Sequence, residues 1–166
     1  MRIAWVCVLA AAACGTGSGD DWTKKPVKPV SATVKGIPFT IELPEGMRQK
    51  AEADEVRWDF HVDGYAKTPE VTVSAAGWAD SLEKYLETEK SVDNWLRKDS
   101  LPDGYVVSYE NSAYKGKEDY IVYVYKKAGD KVLTCSARVT PWTRGAKTKD
   151  KVPLVEKMCL SLKPAS

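Results

Sequence analysis

Few residues in this 166-residue chain have the type and spacing to do chemistry. His61 is the single histidine, and it alternates with Arg57 and Asp59 along one polar strand face. A solvent-facing strand residue fits that position better than a catalytic base, and one imidazole cannot build a histidine-rich zinc site. Ser81-Leu82-Glu83-Lys84 has the Ser-x-x-Lys spacing in which a lysine can activate a serine, and it falls at a predicted helix start. Its Ser-x-Asn and Lys-Thr-Gly companions are missing from the sequence, so the match reads as chance. No Gly-x-Ser-x-Gly elbow, phosphate loop or dinucleotide fingerprint occurs, and no pair of carboxylates is singled out for acid-base work. The expectation is a chain with no catalytic residues, no metal site and no cofactor.

The four cysteines carry a clearer message. Arg2 precedes an apolar run, Ile3 to Ala13, that ends in Ala11-Ala12-Ala13 before Cys14. The run is far short of the roughly 20 residues a spanning helix needs, but it suits the core of a signal peptide. Small residues leading to a cysteine, followed by the flexible Gly15-Thr16-Gly17-Ser18-Gly19, resemble a bacterial lipobox. Leu is usual three places before that cysteine; Ala11 stands there here. Cys7 is a poor alternative, because apolar residues continue after it. Residues 1–13 are therefore read as a cleaved signal peptide and Cys14 as the lipid-bearing N-terminus, the partner being a bilayer. The alternative is cleavage after Ala-x-Ala to give an unlipidated secreted protein. Gly15, in place of Asp, favours the outer membrane by resemblance to the enterobacterial sorting rule. With Cys7 removed and Cys14 acylated, Cys135 and Cys159 are the two thiols left for an oxidising compartment, and a disulfide between them is expected. Two buried free thiols are the alternative.

Composition fits a soluble domain. Hydrophobic residues make up 43% and charged residues 29% of the chain, values outside the disordered and membrane-embedded ranges. The 25 lysines and arginines, less Arg2, leave 24 against 23 carboxylates, so the mature chain lacks the positive footprint of a nucleic-acid binder. The most basic stretch, Arg144 to Lys151, is broken by Gly145 and Asp150 and reads as a solvated loop.

Periodicity supplies the elements that would position these groups. Residues 14–32, Gly- and Ser-rich and then marked by Pro26 and Pro29, read as a tether. The folded domain is assigned to 33–163, roughly 130 residues and one core. Strict alternation marks strands at Ile37–Leu43 and Val56–Val62, and Glu70–Ser74 completes a hairpin with the second. Asp80 to Lys98 takes helical spacing, with Leu82, Tyr85, Leu86, Val92, Trp95 and Leu96 along one stripe. Asp80 and Glu83 suggest a capping box at its start. Strands are predicted at Tyr105–Asn111, Glu118–Lys126 and Val132–Thr140, joined by short turns into an antiparallel meander. A last helix, about Val152 to Leu162, places Leu154, Val155, Met158, Cys159 and Leu162 on one face. Together these predict an α+β fold, a central antiparallel sheet of about five to six strands flanked by two helices. Tyr105 and Tyr109 share one strand face and Tyr123 and Tyr125 another. They form either an exposed binding surface or the ground on which the Asp80–Lys98 helix lies, the second being favoured because that stripe needs an apolar partner.

The stretches Phe39-Thr40-Ile41-Glu42-Leu43-Pro44-Glu45-Gly46 and Met158-Cys159-Leu160-Ser161-Leu162-Lys163 resemble the opening and closing motifs of the PsbP/DcrB-like superfamily, over residues 33–163. Met47 stands where the family often has an aromatic residue. The resemblance implies an α-β-α sandwich and a role that is mostly non-enzymatic, several members being exported lipoproteins. The leading expectation is a membrane-tethered, non-enzymatic binding domain of the cell envelope whose partner is an envelope protein. A periplasmic immunity or inhibitor lipoprotein is the alternative, and an envelope hydrolase with an unrecognised carboxylate site comes third.

Overall fold

The structure is a computed structural model that describes residues 21–60, 69–77, 79–111, 119–140 and 148–165. Cys7, Cys14 and His61 lie outside them. The chain runs β1 (Val27–Val34), β2 (Ile37–Pro44), β3 (Arg48–Ala51), β4 (Glu55–Asp59), β5 (Glu70–Ser74), α1 (Leu82–Thr88), β6 (Trp95–Leu101), β7 (Gly104–Glu110), β8 (Tyr120–Ala128), β9 (Lys131–Val139), α2 (Val152–Leu160) and β10 (Lys163–Pro164). A seven-stranded antiparallel sheet has the order β3-β4-β5-β9-β8-β7-β6, and a three-stranded sheet the order β1-β2-β10.

The predicted α+β sandwich, one sheet of five to six strands between two helices, is therefore corrected. Among the described residues the protein is mostly β, with two sheets and two short α-helices of seven and nine residues. Two misread segments account for most of the difference, and the short strands β3 and β10, which the sequence pattern does not mark, for the rest. Val27 to Ala32, assigned to the tether because of its prolines, belongs to β1, which closes on β2 through Lys35-Gly36. Both turn residues have positive φ, 47° and 74°, the backbone of the tight hairpin turn whose twist matches that of its strands. Pro29 costs no ladder bond because β1 is an edge strand. The predicted Asp80–Lys98 helix ends instead at Thr88, and Trp95 to Leu101 turns back as β6 to pair with β7. Pro102-Asp103 joins those two strands. A Cβ on Gly104 would collide with the carbonyl oxygen of Tyr125 on β8, so only glycine fits where the strands converge.

The remaining strand readings hold closely. Ile37, Phe39, Ile41 and Leu43 of β2 all point inward, and β5 matches its predicted span. β7, β8 and β9 form the expected meander. The two stretches that carry the family resemblance meet in space: Lys163 and Pro164 of β10 pair with Thr40 and Phe39 of β2, and Ser161 Oγ accepts from Glu42 N–H at 2.8 Å.

The sheet has two differently filled faces. On one, Val56, Trp58, Val71, Val73, Val122, Val124 and Leu133 pack against the small sheet and α2 in a single core. The Cys135–Cys159 disulfide lies within it, tying β9 to α2 with the Cα atoms 5.3 Å apart, an ordinary span for such a bridge. On the other face, a second cluster joins Tyr85 and Val92 to Tyr105, Val107, Tyr109, Tyr123 and Tyr125. β8 therefore carries buried apolar residues on both sides, as its sequence predicts.

Candidate functional site

The four tyrosines proposed from the sequence as a possible binding face are brought together and buried. Tyr105 is 1% exposed, Tyr109 9%, Tyr123 6% and Tyr125 3%, so they offer solvent no surface on which to dock a partner. Register sets the arrangement: Tyr105 lies opposite Tyr125, and Tyr123 opposite Val107. Tyr105 and Tyr125 stack with centroids 5.0 Å apart, and Tyr85 from α1 stacks on Tyr123 at 5.3 Å. Trp95 adds an edge contact to Tyr109 at 5.1 Å. The cover does consist of Leu82, Tyr85, Val92 and Trp95, as the stripe suggested, but a helix, a turn and an edge strand deliver them. Burial raises the phenol pKa values of Tyr85, Tyr105 and Tyr109, which stay neutral well into the alkaline range. The Tyr105 hydroxyl donates to the carbonyl of Ala79 at 3.1 Å.

The Ser-x-x-Lys match resolves into helix capping. Ser81, rather than Asp80, is the N-cap, and its Oγ accepts the backbone N–H of Lys84 at 3.3 Å. The Lys84 ammonium pairs with Asp80 at 2.8 Å, so it does not serve the serine as a base. A serine-carboxylate pair that the sequence did not suggest is more closely built. Ser108 Oγ donates to Glu156 at 2.5 Å, and Arg97 holds the other carboxylate oxygen at 3.1 Å. Ser108 has no exposed surface, so no substrate can reach it. The trio ties α2 to β6 and β7. Asp119, 2% exposed, takes a two-pronged hydrogen bond from Arg138, each contact 2.9 Å, and clamps the start of β8 in the same way. Among the described residues no group of three His, Cys, Asp or Glu side chains is placed to hold a metal.

A further feature is an apolar cleft at the root of the domain, with a volume of about 90 Å³. Asp21 starts it: its carboxylate accepts from Thr23 N–H at 3.2 Å and from Thr23 Oγ at 2.7 Å. These bonds fold Trp22–Lys24 into a single 3₁₀ turn and hold the Asp21 carboxyl below its usual pKa. Trp22 is thereby turned inward until 8% remains exposed, with the Lys151 ammonium 6.0 Å above its ring. Trp22, Pro44 and Met158 form the floor, and Val27 and Leu154 the lips. Val27 is 56% and Leu154 41% exposed. Among the described residues only Leu96, at 37%, is a third large hydrophobic side chain so open to solvent.

Sequence reasoning missed this cleft, because Trp22 and Val27 were assigned to a tether and Leu154 to the buried helix face. The signal was present around α2: Val155, Met158, Cys159 and, just past the helix, Leu162 already complete a buried stripe, and Leu154 falls at its margin, about 40° beyond Met158. Compared with known proteins, the chain matches no family model and no curated protein.

Proposed function

We propose that this chain is an exported, lipid-anchored, non-enzymatic interaction domain of the bacterial cell envelope, delivered to the outer membrane and facing the periplasm. The observation that supports the reading is the Cys135–Cys159 disulfide. A bridge between two cysteines 24 residues apart, buried in the main core, suits a protein that folds in an oxidising compartment. It also leaves Cys14 as the one free thiol of the mature chain, next to the small residues and glycines that lipid attachment requires. No helix among the described residues is long and apolar enough to cross a membrane, and an acylated Cys14 supplies the attachment instead.

The test is the mature N-terminus. Full-length protein made in a bacterium is expected to incorporate labelled fatty acid, to sediment with membranes and to begin at a modified Cys14. Cys14→Ala is expected to abolish labelling and sedimentation while leaving the disulfide intact. A mature chain starting at any other, unmodified residue overturns the anchor.

A further inference from the structure

The cleft beside Trp22 stands where the chain leaves the domain for Cys14, and the distance between them is short. Reading β1 as a strand shortens the tether from the 14–32 of the sequence reading to the residues before Asp21. From Cys14 to Asp21 the chain advances seven residues, which span at most ~25 Å whatever path they take. A domain of about 145 residues has a radius of gyration near 15 Å and a diameter of about 40 Å. The tether is therefore shorter than the body it holds. Once the acyl chains are in a bilayer, the root of the domain is the part kept closest to it.

That root carries the features a bilayer selects. Val27 and Leu154 are the two most exposed large hydrophobic side chains among the described residues, and both stand on the lips of one cleft. Around them are Lys24, Lys25, Lys28, Lys151 and Lys157 against Asp21, Glu42 and Glu45, an excess of positive charge in a chain that is otherwise balanced. Lys24 pairs with Asp21 at 3.5 Å and Lys28 with Glu45 at 2.6 Å, while Lys25 and Lys151 lie over the Phe60 and Trp22 rings at 5.7 and 6.0 Å. Apolar tips inside a ring of ammonium groups match the boundary between acyl chains and anionic headgroups.

We propose that this pole, Val27 and Leu154 with their lysine rim, is a second membrane contact that seats the domain root-down on the bilayer holding Cys14. The inference rests on the anchor reading and adds an orientation to it.

The experiment uses the full acylated protein on vesicles of phosphatidylethanolamine and phosphatidylglycerol with brominated acyl chains. An environment-sensitive fluorophore is attached at Leu154→Cys or, as the control, at Lys131→Cys, the exposed first residue of β9. The label at 154 is expected to shift to the blue and to be quenched severalfold more than the label at 131. The difference should shrink when phosphatidylcholine replaces phosphatidylglycerol, or in high salt. Equal, weak quenching at both positions while the protein sediments with the vesicles overturns the proposal and leaves the anchor standing. A protein that does not sediment at all marks the failure of the anchor, and the proposal falls with it. Hydroxyl-radical footprinting of the unsubstituted chain guards against a misfolded labelled variant. Oxidation at Val27 and Leu154, but not at Leu96, should fall on the vesicles relative to Cys14→Ala protein free in solution. Unchanged oxidation at all three positions refutes the contact.

Discussion

The two faces of the seven-stranded sheet solve the same burial problem with different materials. One face packs aliphatic side chains and Trp58 beneath a second sheet, whose Phe39 meets Trp58 edge-on, and a helix, and a disulfide joins the layers. The other packs four sheet tyrosines and Val107 beneath Tyr85, Val92 and Trp95, whose cover includes a helix of only seven residues. The aliphatic face contains two elements distant in sequence and linked covalently, so it opens only when the domain unfolds. The tyrosine cover is local in sequence, from Leu82 to Trp95, and no covalent bond fastens it. Local opening draws on such segments, with short helices and many exposed backbone groups. The aliphatic face therefore holds the fold, and the tyrosine face is the one that can breathe.

The largest effect should come from removing bulk on the aliphatic side. Leu133 has no exposed surface, and Leu133→Ala is expected to cost about 2–5 kcal/mol through lost transfer energy and the cavity left behind. Because β8 carries both clusters, near-UV circular dichroism from the tyrosines should melt together with the backbone signal. Separate transitions would break the view that the aliphatic face controls the whole domain. Next in size is the disulfide. Replacing Cys135 and Cys159 by serine should cost about 3 kcal/mol in the chain-entropy model, a drop of the order of 10 °C in melting temperature for a domain of this size. Denaturant unfolding of the double variant measures it, and an unchanged midpoint would show that packing alone fixes α2.

A smaller effect separates the two faces directly. Ser81 caps α1 through a single hydrogen bond to Lys84 N–H, so Ser81→Ala should cost about 1 kcal/mol. Hydrogen exchange should place that loss in Leu82–Thr88, with β8 and β9 nearly unchanged. Protection lost equally in α1 and the central strands would mean the tyrosine cover opens only with the rest.

What could be read from the sequence follows the same division. Period-two alternation located β2, β4, β5, β7, β8 and β9, because a half-buried strand repeats its environment every second residue. The Cys135–Cys159 bridge followed from counting the thiols left to the exported chain. Three things were hidden by competing signals. Prolines in β1 looked like a spacer because an edge strand tolerates them, and sequence alone does not tell which strand is the edge. Trp95 and Leu96 fall on a helical stripe as readily as in a strand, and only pairing with β7 decides between them. The cleft at Trp22 depends on a turn set by Asp21 and Thr23 meeting a helix more than a hundred residues later, which no local pattern records. Ser108 and Glu156 are likewise 48 positions apart.

The finest test of the comparison is a single hydroxyl. Tyr85 is 2% exposed, and its oxygen lies 3.5 Å from that of Tyr109, at the outer limit of a hydrogen bond. Tyr85→Phe keeps the ring stack on Tyr123 and should cost no more than about 0.5–1 kcal/mol at neutral pH. Alkali reveals more. Burial raises the pKa values of Tyr85, Tyr105, Tyr109 and Tyr125 above the ordinary value of 10.0. Above pH 10 the unfolded chain releases these protons while the folded chain keeps them, so the folded state binds more protons and stability falls as pH rises. Below pH 10 both states are protonated and the contribution is fully present. Each retained proton gives a slope of about 1.4 kcal/mol per pH unit. Removing the Tyr85 hydroxyl should therefore make the fall in stability between pH 10 and pH 11.5 shallower by roughly that amount per pH unit. Denaturant midpoints across that window measure the slope, and tyrosinate absorbance reports the titration itself. Identical slopes in variant and parent would mean that Tyr85 ionises freely in the folded protein, and that the tyrosine face is already open to water.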